Sequence, residues 1–237
     1  MPKPQHIGIV GCSAEGAALC YRTICQEGSE LLGQHRHPEV SMHTPSLSEY
    51  VDCLERDDLD GVARLMLASA QKLTSIGAGL IICPDNTIHQ AFDRATRQST
   101  VPWLHIAEIV VDHAVAHGYR RLGLLGTRWL VGSAVYPEKA EARGLECVRP
   151  ALEQCNEVSR IIMDELVPGH LKSDSTQYLV DTITALKAEG CDAVVLGCTE
   201  LPLVINDDNS PLPTLDSTRL LARAALRRAT DSQREAR

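Results

Sequence analysis

The feature that most narrows what this chain can fold into is an internal repeat. HIGIVG (6–11) and RLGLLG (121–126) are both short apolar runs that end in glycine before a polar turn. GLIICPDNT (79–87) and AVVLGCTE (193–200) are both apolar runs that give way to small polar residues. Runs of this length, apolar at successive positions, suit strands buried on both faces of a parallel sheet. Further strand candidates are EVSMHT (39–44), VPWLHI (101–106), GLECV (144–148) and DAVVLG (192–197). Segments with helical periodicity alternate with them: GAALCYRTIC, DGVARLMLASAQKLTSIG (60–77), IVVDHAVAHG, EVSRIIMDEL and TQYLVDTITALKAEG. The alternation predicts an α/β fold, and the repeat predicts two pseudo-symmetric lobes, each a parallel sheet flanked by helices. Residues 1–103 plus 212–237 form the expected first lobe and 104–211 the second, the tail PLPTLDSTRLLARAALRR (211–228) returning a strand and a helix to the first. Ligands of such sheets bind beyond the carboxyl ends of the strands, so the active site is expected in the cleft between the lobes.

Composition removes several classes of function. The 237 residues carry a net charge of −8 with no long basic block, which argues against nucleic acid and anionic membrane as partners. No apolar run reaches membrane-spanning length, and MPKPQHIGIV has no basic segment leading into a long apolar stretch. Cytoplasm is therefore the expected location. Nine cysteines cannot all pair internally, no CxxC occurs, and no spacing suits a zinc site, so free thiols are expected. GIVGCSAEG lacks the full glycine fingerprint of a dinucleotide site.

Ungapped matching of the halves sets Asp85, Asn86 and Thr87 against Cys198, Thr199 and Glu200. Two proton-transfer groups acting on opposite faces of one carbon are what 1,1-proton transfer requires. Hydroxyls, amides and helix-terminal N–H groups beside them suit a substrate carboxylate and a carbanionic transition state.

At these residues the chain resembles the aspartate/glutamate racemase family, from HIGIVG to LDSTRLL. The stretches that carry the resemblance are NTIH, LHIAE (104–108), LGLLGTR (122–128), IIMDEL (161–166) and above all LGCTELPL (196–203). The resemblance implies a two-lobe α/β fold, amino-acid racemisation without pyridoxal phosphate, metal or other cofactor, a small carboxylate-bearing substrate and a homodimer. It assigns Cys198 as a catalytic acid/base and Asn86, Thr87, Thr127 and Thr199 as substrate contacts. Lys172 falls near a basic residue that in some members clamps a distal carboxylate.

Two positions depart from the family pattern. Members usually carry cysteine, sometimes threonine, before the asparagine; here Asp85 stands there and Cys83 lies two residues earlier, deeper in the strand, where core packing is its best reading. Asp85 is open between proton transfer and capping the following helix, as Thr87 is between substrate contact and cap. A thiol near ~8.5 and a carboxyl near ~3.9 differ by about 6 kcal/mol of basicity, so a catalytic Asp85 needs a raised pKa. Burial can raise one by up to about 3–5 units. Members acting on acidic amino acids place a basic residue after the second strand, where this chain offers His43 and Thr44. His43 is open between a structural and a substrate-binding role. Arg36 and Arg128 are candidates for the missing charge, and Glu15 and Glu165 are further cleft candidates, each open between that and a helix-surface place. The alternatives to a racemase are a one-thiol lyase or isomerase (malonate-type decarboxylase, hydantoin racemase, maleate isomerase) and a noncatalytic small-molecule binder.

Overall fold

A computed structural model describes residues 3–231. The chain runs β1 (Ile7–Val10), α1 (Ala14–Leu32), β2 (Val40–His43), α2 (Leu47–Glu55), α3 (Leu59–Ser75) and β3 (Leu80–Ile82). A 3₁₀ turn (Thr87–Ala91), α4 (Phe92–Thr96), β4 (Trp103–Leu104) and α5 (Ile106–Ala116) follow. The second half runs β5 (Arg121–Leu125), α6 (Arg128–Val131), α7 (Val135–Glu141), β6 (Glu146–Val148) and α8 (Leu152–Ile161), which passes into a π-helical turn (Ile162–Leu166). It closes with α9 (Ser173–Ala188), β7 (Ala193–Leu196), a 3₁₀ turn (Leu201–Leu203), β8 (Thr214–Asp216) and α10 (Ser217–Asp231).

The chain divides into two compact units, one reaching Ile106 and resuming at Thr218, the other Ala107–Ser217. Each holds one four-stranded, wholly parallel sheet, in the orders β2-β1-β3-β4 and β6-β5-β7-β8. Two identical strand orders are what the repeated sequence predicts. The central strands β1, β3, β5 and β7 are buried at all but one residue, which is why they read as continuous apolar runs instead of alternating ones. Only Arg121, at the start of β5, is partly exposed.

Helices close the faces by burying one stripe each. In the first unit Val62, Met66, Ala70 and Leu73 of α3, spaced at helical intervals, pack in one cluster with Val10, Ile81 and Tyr50. Asp58 caps α3, accepting from the Gly61 amide at 2.7 Å. In the second unit Leu179, Ile183 and Leu186 of α9 join Val158 and Ile161 of α8 around Val194 and Leu196. Each fully buried aliphatic side chain of this kind contributes about 1.5–3 kcal/mol.

β8 pairs with β7, so this last strand belongs to the second sheet and the return to the first unit begins only at Thr218, later than residue 212. What returns is the helix. Arg223 of α10 grips Glu27 of α1 through Nε and Nη2 at 2.9–3.0 Å, and the Gln5 amide donates to the Ala229 carbonyl at 3.0 Å. Among the described residues no helix is long and apolar enough to cross a membrane.

Candidate active site

In a parallel sheet whose order reverses about its first strand, the crevice lies where the chain leaves in opposite directions, outside the carboxyl ends. In the first unit that point falls between β1 and β3, and in the second between β5 and β7. The residues after these four strands are Gly11–Ser13, Cys83–Thr87, Gly126–Thr127 and Gly197–Glu200. They hold nearly every small polar residue that the repeat singles out.

The sheet registers align the two strand ends. Ile9 of β1 is paired with Ile82 and Leu124 of β5 with Val195. Counting three residues past each partner arrives at Asp85 in one unit and Cys198 in the other, so the two occupy the same register position. Asn86 corresponds to Thr199, Thr87 to Glu200 and Ile88 to Leu201.

In the first unit the Asp85 carboxylate is half-buried, and Oδ1 accepts the Ile88 amide at 3.0 Å. The capping role is therefore realised. The Asp85 carbonyl accepts from His89 Nδ1 at 2.6 Å. Asn86 and Thr87 are buried beside it. Cys83 is fully buried in the apolar cluster, and burial first, the Asp85 charge second, push its thiol well above the usual range. A thiol held protonated and away from solvent is a packing group, as its place in the strand suggests.

In the second unit Gly197 is required by close approach: a β-carbon there would stand 2.7 Å from the Leu125 carbonyl oxygen. Its amide donates to that same oxygen at 2.8 Å, which fixes where Cys198 begins. Cys198 is half-buried and its Sγ donates to Glu200 Oε2 at 2.9 Å. Thr199 Oγ1 donates to the same oxygen at 2.7 Å. Thr199 and Glu200 are each 2% exposed. One buried oxygen thus accepts both the thiol and the hydroxyl. Glu200 is the residue that sequence reasoning missed as a functional group; its place in the matched triplets was visible, but burial and its aim at the thiol were not.

The other residues are placed less centrally. Thr127 is buried and caps α6, accepting the Leu130 amide at 3.3 Å. Ser13, at the corresponding polar turn after β1, caps α1 through the Gly16 amide. His43 ends β2, with Nδ1 on Ser69 Oγ and Nε2 accepting from Lys72 Nζ, both at 2.9 Å; burial and then the Lys72 charge lower its pKa. A basic residue does reach the end of β2, but from α3. Lys172 meets Glu165 at 3.2 Å. Glu165, on the π-helical turn, also takes Ser175 Oγ at 2.5 Å and Arg160 Nη1 at 2.9 Å. The Ser175 bond, followed by those from Arg160 and Lys172, holds it down to about 2. Arg128 is exposed, stacked over Trp129, and Glu15 and Arg36 are also exposed. Among the described residues no three or more His, Cys, Asp and Glu side chains gather as a metal site.

The family model for the Asp/Glu/Hydantoin racemases matches residues 7–225. The broad specificity amino-acid racemase RacX of Bacillus subtilis is 27% identical over 169 residues, 71% of this chain and 73% of that one. A candidate Asp/Glu racemase from Yersinia pestis superposes with a TM-score of 0.86 at 28% identity, covering 95% of this chain and 99% of the other. An aspartate racemase homologue from Pyrococcus horikoshii gives 0.81 at 29% identity with the same coverage.

Proposed function

Since the chain belongs to the Asp/Glu/Hydantoin racemase family, we propose that it is an isomerase that racemises or epimerises an amino acid by cofactor-independent 1,1-proton transfer at the α-carbon. Cys198 serves one face and Asp85 the other. The observation that carries this reading is the contact of Cys198 Sγ with the buried Glu200 carboxylate, at the register position that Asp85 occupies in the first unit.

The chemistry follows from the donors. Glu200 accepts the thiol proton, and the resulting thiolate removes the α-proton of one enantiomer. The protonated Asp85 delivers a proton to the far face of the carbanion. For the other enantiomer the Asp85 carboxylate removes the proton and the Cys198 thiol supplies one. Glu200 keeps the thiol proton until the reverse direction has made a Cys198 thiolate and then returns it, so each direction leaves Cys198, Glu200 and Asp85 in the state the other starts from. Asn86, Thr87, Thr127 and Thr199 hold the substrate carboxylate and stabilise the charge that develops on it. The similarity to a broad specificity amino-acid racemase supports a substrate defined by its α-amino acid core. A homodimer in the cytoplasm is part of the same proposal, on the strength of the family resemblance.

The test is incubation in deuterated water with a panel of L- and D-amino acids, aspartate and glutamate included, followed by mass spectrometry and chiral separation. Deuterium uptake at the α-carbon with inversion, lost in Cys198→Ser, is the expected result. A purified chain that exchanges no α-proton in any member overturns the racemase reading.

A further inference from the structure

His89 is bound at both ring nitrogens by backbone groups of the strand-end region that carries Asp85. Nδ1 lies 2.6 Å from the Asp85 carbonyl oxygen, which can only accept, so Nδ1 carries a proton. Nε2 lies 3.2 Å from the Ile106 amide, which can only donate, so Nε2 carries a lone pair. The two contacts together define one form of the ring, neutral and protonated at Nδ1. Ile106 opens α5, just past β4, and β4 is the sheet neighbour of β3. The imidazole is thus a strut between two adjacent strand-end turns, one of them the turn that presents Asp85.

The strut is itself held. His89 is 3% exposed. Its ring stacks on Phe92, the only phenylalanine in the chain, with centroids 5.1 Å apart at 13°, and meets His105 edge-on at 4.9 Å. Phe92 in turn packs edge-on against Trp103 of β4. Of the chain's eight Phe, Trp and Tyr rings, two, Phe92 and Trp103, lie behind this one turn with the two imidazoles. The second unit has no equivalent: the position matching His89 is Pro202, and the Cys198 carbonyl accepts the Leu201 amide instead.

We propose that His89 is a positioning residue for proton transfer, fixing the Asp85 main chain so that its carboxyl group keeps one face of the substrate; this rests on the racemase reading above. A turn that drifts by about 1 Å can cost on the order of a hundredfold in rate, so loss of the strut acts on turnover more than on binding.

Three substitutions separate this role from simple packing. Asparagine places an N–H near Nδ1, glutamine near Nε2, and alanine neither. His89→Asn should keep kcat within about threefold, whereas His89→Gln and His89→Ala should lose at least about tenfold in kcat with KM within about threefold. In the two impaired variants the primary isotope effect from α-deuterated substrate should rise for one enantiomer, the one deprotonated by Asp85, and stay put for the other. Equal loss in all three variants, or isotope effects unchanged for both enantiomers, overturns the proposal. Amide hydrogen exchange gives a readout that needs no turnover. Protection of residues 85–88 should fall in His89→Gln and persist in His89→Asn, whereas the Ile106 amide, whose acceptor is Nε2, should lose protection in His89→Asn and His89→Ala; protection of residues 85–88 unchanged in His89→Gln also overturns the proposal. A wild-type chain without α-proton exchange refutes the racemase reading, while the exchange-protection result still decides whether His89 holds the turn.

Discussion

The two strand ends have the same backbone plan and different hydrogen-bond plans. After β3 the amide of Ile88 is taken by the Asp85 side chain, and the Asp85 carbonyl is taken by His89. After β7 the matching amide, Leu201, is taken by the Cys198 carbonyl at 3.2 Å, and the Cys198 side chain donates to Glu200. One end uses its side chain to build the turn. The other builds the turn from main chain and directs its side chain at a base. The difference explains why an aspartate suits the first end: its Oδ1 closes the turn by accepting the Ile88 amide. It also explains why the first end needs an imidazole strut, since its own carbonyl is not spent on the turn.

The sharpest way to break the comparison is at the thiol. Cys198→Ser should lower racemisation, and α-deuterium uptake by the enantiomer that Cys198 deprotonates, by about a thousandfold or more, because a hydroxyl is a far weaker proton-transfer group than a thiol. The α-deuterium assay reads it directly. Glu200→Gln comes next. An amide can still accept the Cys198 and Thr199 donors but is a poor proton acceptor, so turnover should fall by about a hundredfold with the fold intact by circular dichroism. A smaller effect separates the two duties of Asp85. Asp85→Asn keeps an oxygen for the Ile88 amide and should stay within about 0.5 kcal/mol of wild-type stability, whereas Asp85→Ala should lose about 1 kcal/mol in urea unfolding.

The smallest effect lies away from the strand ends, at Glu165. Its folded pKa sits near 2, below the usual 4.5, so the stability it contributes is present above about 4.5 and lost as pH falls from there toward 2. Glu165→Gln should flatten that part of a thermal-melting profile against pH. An unchanged slope would remove the Ser175, Arg160 and Lys172 cradle from the account.

Much of the fold was legible in the sequence because strands buried on both faces must be apolar throughout, and glycine or a polar turn must end them. That is why HIGIVG, GLIIC, RLGLLG and DAVVLG mark β1, β3, β5 and β7 to within a residue or two. The alignment of Asp85 with Cys198 was legible for the same reason, since register counts from those runs. Short helices were not. α2 and α7 hold few buried residues, too few to print a clear period. β8 reads as tail because a three-residue edge strand carries little pattern of its own, and pairing with β7 decides which sheet it joins. The π-helical turn at Ile162–Leu166 hides inside a run that reads as ordinary helix. Glu200 and His89 were missed as working groups for another reason. Their roles depend on partners and burial that folding creates: a thiol brought against a 2%-exposed carboxylate, and an Ile106 amide brought to a ring from a later strand end.

In the proposed reaction the two faces of one carbon are served by unlike groups. This is tested most directly by presenting Asp85→Asn with each enantiomer of a substrate separately in deuterated water. One enantiomer should take up α-deuterium with retention of configuration, exchanged by Cys198 alone, while the other stays protonated and racemisation is lost. Racemisation of both enantiomers at the wild-type rate would contradict this and leave Asp85 as a cap.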